Sequence, residues 1–257
     1  MAEGWRLWID ATPRPGWSNM ALDQALLDRA ESAGERWLRL YGWDPHCLSF
    51  GRHEPAARRY DRARVEALGL DVVRRPTGGR AVWHGHELTY ALAAPCAELG
   101  TVRESYIEIH RMLLDALRRF GIAAQLAPPG RPVGVDRGAC FAAPAGGEIM
   151  LGGRKAVGSA QLRQGDALLQ HGSILLQGDQ AMVQAVTRGT PPPDLAGALA
   201  GLLSSAPSAE ELVEAIAEAA AERWRGPWER LANADALLES ADRHAVRFRS
   251  DAWTWSS

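Results

Sequence analysis

The 257-residue sequence has the composition of a globular protein with one large core. It is 46% hydrophobic and 23% charged, and its length lies at the upper end for a single domain. No run of apolar residues approaches the roughly 18–20 that a membrane-spanning helix needs. The segment 1–17 has neither the basic region nor the apolar core of a secretory signal. The sequence therefore predicts a cytoplasmic protein without a membrane partner.

Charge and cysteine content argue against further classes of protein. The 29 basic and 31 acidic residues nearly cancel, which argues against a nucleic-acid partner. Cys47, Cys96 and Cys140 are an odd number of cysteines without a CxxC spacing, so neither a disulfide framework nor a zinc knuckle is expected. We expect free thiols and no metal site.

The basic residues are almost all arginine, and Lys155 is the only lysine. An ammonium group is compact and can lose its proton, whereas a guanidinium is bulky and stays charged. A lone lysine in such a chain indicates a place where arginine cannot serve. The alternative is a chance survivor with no special role.

The N-terminal part of the chain alternates helices and strands in an irregular order. Asn19 is placed as the cap of a first helix that reaches Arg29, and a short helix is predicted over 61–67. Apolar and β-branched runs between turn residues predict strands over 37–41, 47–50, 71–75, 81–84 and 87–94.

The middle of the chain carries clear local signals. Thr101 and Glu104 form a capping box, which predicts a helix that ends before Gly121. The dipeptide Gly152-Gly153 is typical of a hairpin turn. Strands are predicted on both sides of this turn and after a second one, over 147–151, 154–162 and 168–176.

A short helix is predicted over 179–186, and Ser208 with Glu211 forms a second capping box before a helix that reaches Trp224. The mixture of elements predicts an α+β fold in which helices flank a mixed sheet. We expect residues 1–188 to form the main domain and 189–257 to form a helical extension packed on it, since so few large apolar residues would not fold alone.

Residues 74–82 place the pair Gly78-Gly79 between two predicted strands. Because glycine has no Cβ, backbone N–H groups here can face a carboxylate, a phosphate or an acyl carbonyl at close range. The alternative is a hairpin without a function. His84 and His86 fall on one side of the segment that follows, but no third metal ligand is evident.

The lone lysine lies on a predicted strand with small neighbours, Gly158 and Ala160, which leave room for a ligand. The alternative is an exposed lysine beside a hairpin turn. Alternation along the strand places four side chains on one face, those of Lys155, Val157, Ser159 and Gln161.

Cys140 differs from the other cysteines because it follows a loop rather than an apolar strand. A strand and a hairpin turn separate it from Lys155, so the two side chains can meet in one pocket. A nearby ammonium favours the thiolate, which is the nucleophilic form. The alternative is an inert buried thiol.

Several motifs follow one another between residues 19 and 175. They are Asn19-Met20-Ala21-Leu22-Asp23, Tyr41-Gly42-Trp43, Arg74-Arg75-Pro76-Thr77-Gly78-Gly79-Arg80, Glu87-Leu88-Thr89-Tyr90, Cys140-Phe141, Gly153-Arg154-Lys155, Gly158-Ser159-Ala160-Gln161 and Gln170-His171-Gly172-Ser173-Ile174-Leu175. In this order they resemble the biotin/lipoate protein ligase superfamily, and within it the cysteine-type octanoyltransferases.

The resemblance implies a catalytic domain of the class II synthetase and biotin-protein-ligase type. It implies that Cys140 takes an octanoyl group from acyl carrier protein and passes it to a lysine of a lipoyl-accepting protein. That acceptor would be a glycine-cleavage H protein or a dehydrogenase E2 lipoyl domain. Lys155 would be the second catalytic residue, and no cofactor would be needed.

Two alternatives stay open. One is a lipoate-protein ligase that uses ATP and Mg, in which Cys140 is incidental; the other is a non-catalytic homologue that binds acyl or lipoyl proteins. The residues implied in substrate binding are Arg75, Thr77, Gly78, Gly79, Arg80, His86, Gly158, Ser159, Ala160, His171 and Gly172.

Overall fold

The computed structural model describes residues 4–128, 147–190, 196–203 and 205–256. Its strands, β1 to β12 in chain order, are Trp5–Arg14, Arg36–Trp43, Cys47–Phe50, Asp71–Arg74, Val82–His84, Glu87–Pro95, Gln125–Leu126, Ile149–Leu151, Arg154–Lys155, Val157–Gln164, Ala167–Leu175 and Trp228–Arg230. Its helices, α1 to α10, are Gly16–Ala33, Ala56–Arg59, Arg62–Ala67, Cys96–Leu99, Val102–Arg118, Ala181–Val186, Leu199–Leu202, Ala209–Arg223, Asp235–Phe248 and Asp251–Thr254. None of these described helices is both long and apolar enough to cross a lipid bilayer.

Within the described residues, the largest sheet has six strands in the order β10-β11-β6-β2-β1-β12. β1 pairs in parallel with β2 and β12, whereas the pairs β2-β6, β6-β11 and β11-β10 are antiparallel. Helix α5 lies on one face with α8 packed against it, and α1 lies on the other face with α9 packed against it. The predicted α+β class, with helices flanking a mixed sheet, is confirmed.

A second sheet holds β4, β3 and β5 in that order. β3 pairs in parallel with β4 and antiparallel with β5, so the connection between β4 and β5 crosses the end of β3. The hairpin considered for this connection is therefore wrong. The crossing, which we call the glycine segment (residues 75–81), is tight: a Cβ on Gly51 would lie 1.8 Å from the Gly79 carbonyl oxygen. Only glycine fits at residue 51.

The predicted cap at Asn19 is wrong. Helix α1 begins at Gly16, whose N–H donates to the Asp71 carboxylate at 2.9 Å. Asn19 lies inside the helix and is completely buried. Its side chain donates to two backbone carbonyls outside the helix and accepts from Arg39 at 2.7 Å. A residue type that favours caps serves here as a long-range connector.

The predicted strand over 154–162 is divided at Ala156. β9 pairs with β8 in a third, small sheet, whereas β10 belongs to the main sheet. The sequence had predicted that Lys155 shares a strand face with Ser159. That prediction is wrong, because the two residues lie on different strands. The hairpin between β8 and β9 is confirmed, since Gly152 and Gly153 have φ of 56° and 76°, the conformation that such two-residue turns require.

The C-terminal residues contribute to the sheet as well as to the helical layers. Strand β12, which the sequence did not indicate, pairs in parallel with β1. The capping boxes at Thr101 and Ser208 are confirmed, with both reciprocal hydrogen bonds present. Cys47 and Cys96 are free thiols, as expected. The division of the chain at residue 188 stays a prediction.

We expect Asn19→Ala to lower the free energy of unfolding by about 2–4 kcal/mol. The change removes the donor to the Arg14 and Gly42 carbonyls and one acceptor of the buried Arg39 guanidinium. Urea denaturation measures the loss. The exposed Asn233 is the matched control, and Asn233→Ala should change stability by no more than about 0.5 kcal/mol. Similar losses in both variants would contradict the connector role.

Candidate active site

A partly enclosed cavity lies between the α1 face of the main sheet and the second sheet, and its empty space together with its open mouth is about 330 Å³. Several residues implied in substrate binding line it, namely Arg75, Gly158, Ser159, Ala160, His171 and Gly172. The other described lining residues are Met20, Tyr41, Trp43, Val82, His84, Thr89 and Ser173. The structure thus brings much of the predicted site to one place.

Strands β10 and β11 form one wall of the cavity, which we call its floor, and small side chains on β10 leave space above it. Gly158 pairs with Ser173 and Ala160 pairs with His171, so each small residue of β10 lies beside a polar residue of β11. The hydroxyl of Ser159, the residue between them, bonds to partners on the α5 side of the sheet. The space predicted beside Gly158 and Ala160 is present, on the face opposite the Ser159 side chain.

His171 links helix α1 to the glycine segment. Its Nδ1 lies 2.7 Å from the Asp23 carboxylate, and its Nε2 lies 2.6 Å from the Thr77 hydroxyl. Burial lowers the pKa of His171, and the hydrogen bond and charge of Asp23 oppose this only in part. A neutral imidazole that donates to Asp23 and accepts from Thr77 satisfies both ring nitrogens. Thr77 and His171, both implied in substrate binding, are therefore in direct contact.

Arg75 shapes the glycine segment from within. Its buried guanidinium donates to the carbonyl and hydroxyl of Ser49 at 2.9 and 2.6 Å, and to the carbonyls of Gly78 and Arg80 at 3.1 and 2.8 Å. Gly79 has φ of 89°, which favours glycine. A Cβ on Gly78, in contrast, would meet no atom within 4 Å. The space beside Gly78 is open to a ligand.

Lys155 is buried, with only 1% of its surface exposed. Its Nζ lies 2.5 Å from Oε1 of Glu148, which holds the ammonium in an ion pair. The alternative of an exposed lysine beside a hairpin turn is therefore wrong. Lys155 lies at the end of β9, shortly before Gly158, and is not among the described residues that line the cavity.

His110 of α5 is a residue of this region that the sequence analysis missed. Its Nδ1 lies 2.6 Å from the Gly147 carbonyl and its Nε2 lies 2.8 Å from the Ser159 hydroxyl, which also bonds to Tyr90 at 2.7 Å. Burial lowers the pKa of His110 to about 4, and the charge of Lys155 acts in the same direction. A histidine on the apolar face of a helix was the signal available in the sequence.

His86 lies away from the cavity. It lines a neighbouring groove with Gly85 and Gln177, and its ring packs edge-on against His46 with 5.1 Å between centroids. The predicted nucleophile, Cys140, lies outside the described residues. Among the residues that are described, no three His, Cys, Asp or Glu side chains are grouped to hold a metal ion.

The fold is that of lipoate-protein ligases. The crystal structure of lipoate-protein ligase A bound with ATP matches with a TM-score of 0.81 at 21% identity, over 98% of each chain. A bipartite lipoate protein ligase from Thermoplasma acidophilum, described with its E2 lipoyl domain, matches with a TM-score of 0.79 at 18% identity, over 98% of this chain and 96% of that one.

Sequence similarity identifies the family. The profile of the lipoyl protein ligase A/B catalytic domain matches residues 15–221, and the chain belongs to this family. It is 44% identical over 181 residues to octanoyltransferase LipM of Carboxydothermus hydrogenoformans, which covers 69% of this chain and 66% of that protein. It is 41% identical over 197 residues to octanoyltransferase LipM of Symbiobacterium thermophilum, covering 73% and 71%. The chain thus spans about two thirds of the length of these curated relatives.

Two glycines of the site should respond differently to alanine. A Cβ on Gly172 would lie 2.5 Å from the Ser159 hydroxyl oxygen and 2.6 Å from the Gly158 carbonyl oxygen, so Gly172→Ala should lower the free energy of unfolding by about 2–3 kcal/mol. Gly78→Ala has open space and should cost less than about 1 kcal/mol. Urea denaturation of both variants checks this, and equal losses would show that the described packing is wrong.

Proposed function

We propose that the chain is an octanoyltransferase that moves an octanoyl group from acyl carrier protein, through a thioester on Cys140, to a lysine of a lipoyl-accepting protein. The observation that carries this proposal is the polarity of the cavity. Arg75, His84 and His171 line it, yet each is bonded to other protein groups. A wall whose polar groups are already satisfied suits an apolar acyl chain, which offers no hydrogen bonds in return.

The choice of a transferase over a ligase rests on chemistry and on relatives. Proteins 39–44% identical to this chain carry the name octanoyltransferase LipM, and Cys140 supplies the nucleophile that a thioester route needs. A thioester donor already carries the activation that ATP would provide to a free acid. We therefore assign no cofactor to the reaction.

The proposed reaction has two acyl transfers. The Cys140 thiolate forms a bond to the octanoyl carbonyl carbon, the bond from that carbon to the carrier's sulfur breaks, and the carrier's thiolate takes a proton. A lysine amine of the acceptor then forms a bond to the same carbonyl carbon, the bond from that carbon to the Cys140 sulfur breaks, and a proton from the nitrogen goes to the sulfur, which leaves an amide and a thiol. Lys155, held by Glu148, would polarise the carbonyl or help to move a proton.

Lipoyl-accepting proteins are the acceptor class that fits. The archaeal ligase with the same fold was described with its E2 lipoyl domain, and we propose for this chain such a domain or a glycine-cleavage H protein. Acyl carrier protein is the proposed donor. Because the route needs a reduced cysteine, we assign the reaction to the cytoplasm.

Incubation with octanoyl-acyl carrier protein, without ATP, should add one octanoyl group to Cys140, detected by intact-mass and peptide analysis. Cys140→Ser should abolish transfer to an apo acceptor, since a serine ester is a poorer acyl donor. Cys96→Ser is the matched control and should load normally. Strict dependence on ATP with free lipoate or octanoate would contradict the proposal in favour of the ligase. Absence of any transfer would favour the non-catalytic alternative.

Lys155→Arg should lower the transfer rate by at least about 100-fold although the positive charge is kept. A planar guanidinium is bulkier than the buried ammonium and does not lose its proton. Arg154→Lys is the control, because the exposed neighbour on the same strand should tolerate the reverse exchange. A wild-type rate for Lys155→Arg would reduce the role of the lysine to general electrostatics.

A further inference from the structure

Glu87 lies at the start of β6, where the cavity meets an open groove. Its carboxylate is shielded from solvent, with 0% of the side chain exposed. The side chains that bond to it, His84, Thr89 and Ser173, all line the cavity, and Glu87 itself lines the groove. Glu87 therefore lies at the boundary between the two spaces, with its carboxylate held by residues of the cavity wall.

The bonds to Glu87 all fall on one oxygen. Oε1 lies 2.7 Å from His84 Nδ1 and accepts from the hydroxyls of Thr89 and Ser173 at 2.6 and 2.7 Å. The Ser49 hydroxyl accepts from Arg75 and lies 2.6 Å from His84 Nε2, so its own proton can go to Nε2 and His84 Nδ1 can donate to Oε1. These three contacts on one oxygen fix the orientation of the carboxylate.

The other oxygen, Oε2, is buried and has no hydrogen-bond partner among the residues that the structure describes. A buried polar atom without a partner costs roughly 1–3 kcal/mol, and more when the group is charged. A donor from a ligand would remove this cost. A cationic donor would gain most, because charge-assisted hydrogen bonds are the stronger kind.

The groove offers a route for such a donor. It has about 1190 Å³ of empty space and is bordered by the start of α8. Trp43 lines both the groove and the cavity, so the two adjoin. Acidic side chains predominate in the groove and in its continuation. Asp10 and Glu214 are paired with arginines there, so the net negative charge comes from Glu87, Glu210 and Glu211. This charge attracts cations and repels anions.

We propose that Glu87 Oε2 binds the ammonium group of the acceptor protein's lysine and removes one of its protons before acyl transfer. The assignment rests on the proposed function and identifies the acceptor side of that site. A lysine side chain has a long, thin stem that can follow the groove, and its ammonium supplies the hydrogen-bond donor that Oε2 lacks.

The proton transfers balance as follows. Oε2 takes one proton from the lysine ammonium, and the free amine forms a bond to the carbonyl carbon of octanoyl-Cys140. The carbon–sulfur bond breaks, and the nitrogen's second proton goes to the departing Cys140 thiolate. An amide and a thiol result, and Glu87 returns its proton to solvent through the groove.

The test separates loading from transfer. Wild type, Glu87→Gln and Glu35→Gln are each loaded with octanoyl-acyl carrier protein, freed of the carrier and mixed with a purified apo E2 lipoyl domain in single-turnover runs. Glu87→Gln should load normally but transfer about 10- to 100-fold more slowly at low acceptor concentration. Hydroxylamine, a neutral nucleophile, should deacylate it at the wild-type rate. Glu35 is a buried glutamate paired with Arg29, and Glu35→Gln should match wild type in all three steps.

Transfer at the wild-type rate by Glu87→Gln would overturn the assignment. A variant that loses loading and hydroxylamine reactivity by the same factor as transfer would also overturn it, because the role would then be structural. Failure of the wild type to load Cys140 would overturn the proposed function at an earlier step, and this assignment with it.

A measurement on the wild type decides the matter even where Glu87→Gln does not fold. Butylammonium chloride, a probe for the lysine side chain, should inhibit transfer in competition with the acceptor domain. Neutral 1-butanol at the same concentration should not. Equal inhibition by the two probes, or none by butylammonium, would overturn the assignment.

Discussion

A buried arginine holds the layers of this protein in register. Arg39 of β2 has no exposed surface, and its guanidinium donates to Asp10 of β1 at 2.7 Å, to Asp23 of α1 at 3.2 Å and to Asn19 at 2.7 Å. It also lies 3.9 Å from the centroid of the Tyr41 ring. Removal of one partner from a buried ion pair costs about 3–5 kcal/mol, because the other charge is left without compensation. Helix α1 is therefore fixed on the sheet by charge as well as by packing.

The ion pair of Arg39 and Asp23 also positions residues that line the cavity. The second oxygen of Asp23 bonds to Tyr41 and to His171, and burial together with the Asp23 charge raises the pKa of Tyr41 well above its usual range. His171 in turn bonds to Thr77, which holds the glycine segment over the floor. The contacts thus run without a break from the core to the cavity. Apart from Arg39 Nε, which has no hydrogen-bond partner among the described residues, the polar side-chain atoms of this chain of contacts bond to one another or to the protein around them. They leave a mostly apolar space for a ligand.

Local signals in the sequence were sufficient for some elements and insufficient for others. The capping boxes at Thr101 and Ser208 and the Gly152-Gly153 turn depend on residues within one turn of chain, so they were predicted correctly. The role of Asn19 was predicted wrongly because its hydrogen-bond partners lie in strands β1 and β2. Strand β12 was missed because its pairing with β1 joins the two ends of the chain.

In the candidate active site, too, local sequence signals identified some residues and missed those whose role depends on long-range contacts. The motifs placed Arg75, Thr77 and His171 in one region, and the structure brings them together. Glu87 gave no separate signal, because its interest lies in an oxygen that lacks a partner, which only three-dimensional contacts reveal. Lys155 stood out by residue type, yet its partner Glu148 was not evident, since a hairpin turn separates the two.

The fold of this chain does not by itself determine the proposed chemistry. Structures at 18–21% identity share the fold, and one of them, lipoate-protein ligase A, was solved bound with ATP, which the proposed transfer does not need. A free acid must be activated before an amine can attack it, whereas a thioester arrives activated. The residue that would distinguish the two routes is Cys140, the proposed nucleophile. A compact positive charge near the carbonyl, as proposed for Lys155, stabilises developing negative charge whichever group leaves. We therefore expect the lysine to serve either chemistry and the cysteine to decide between them.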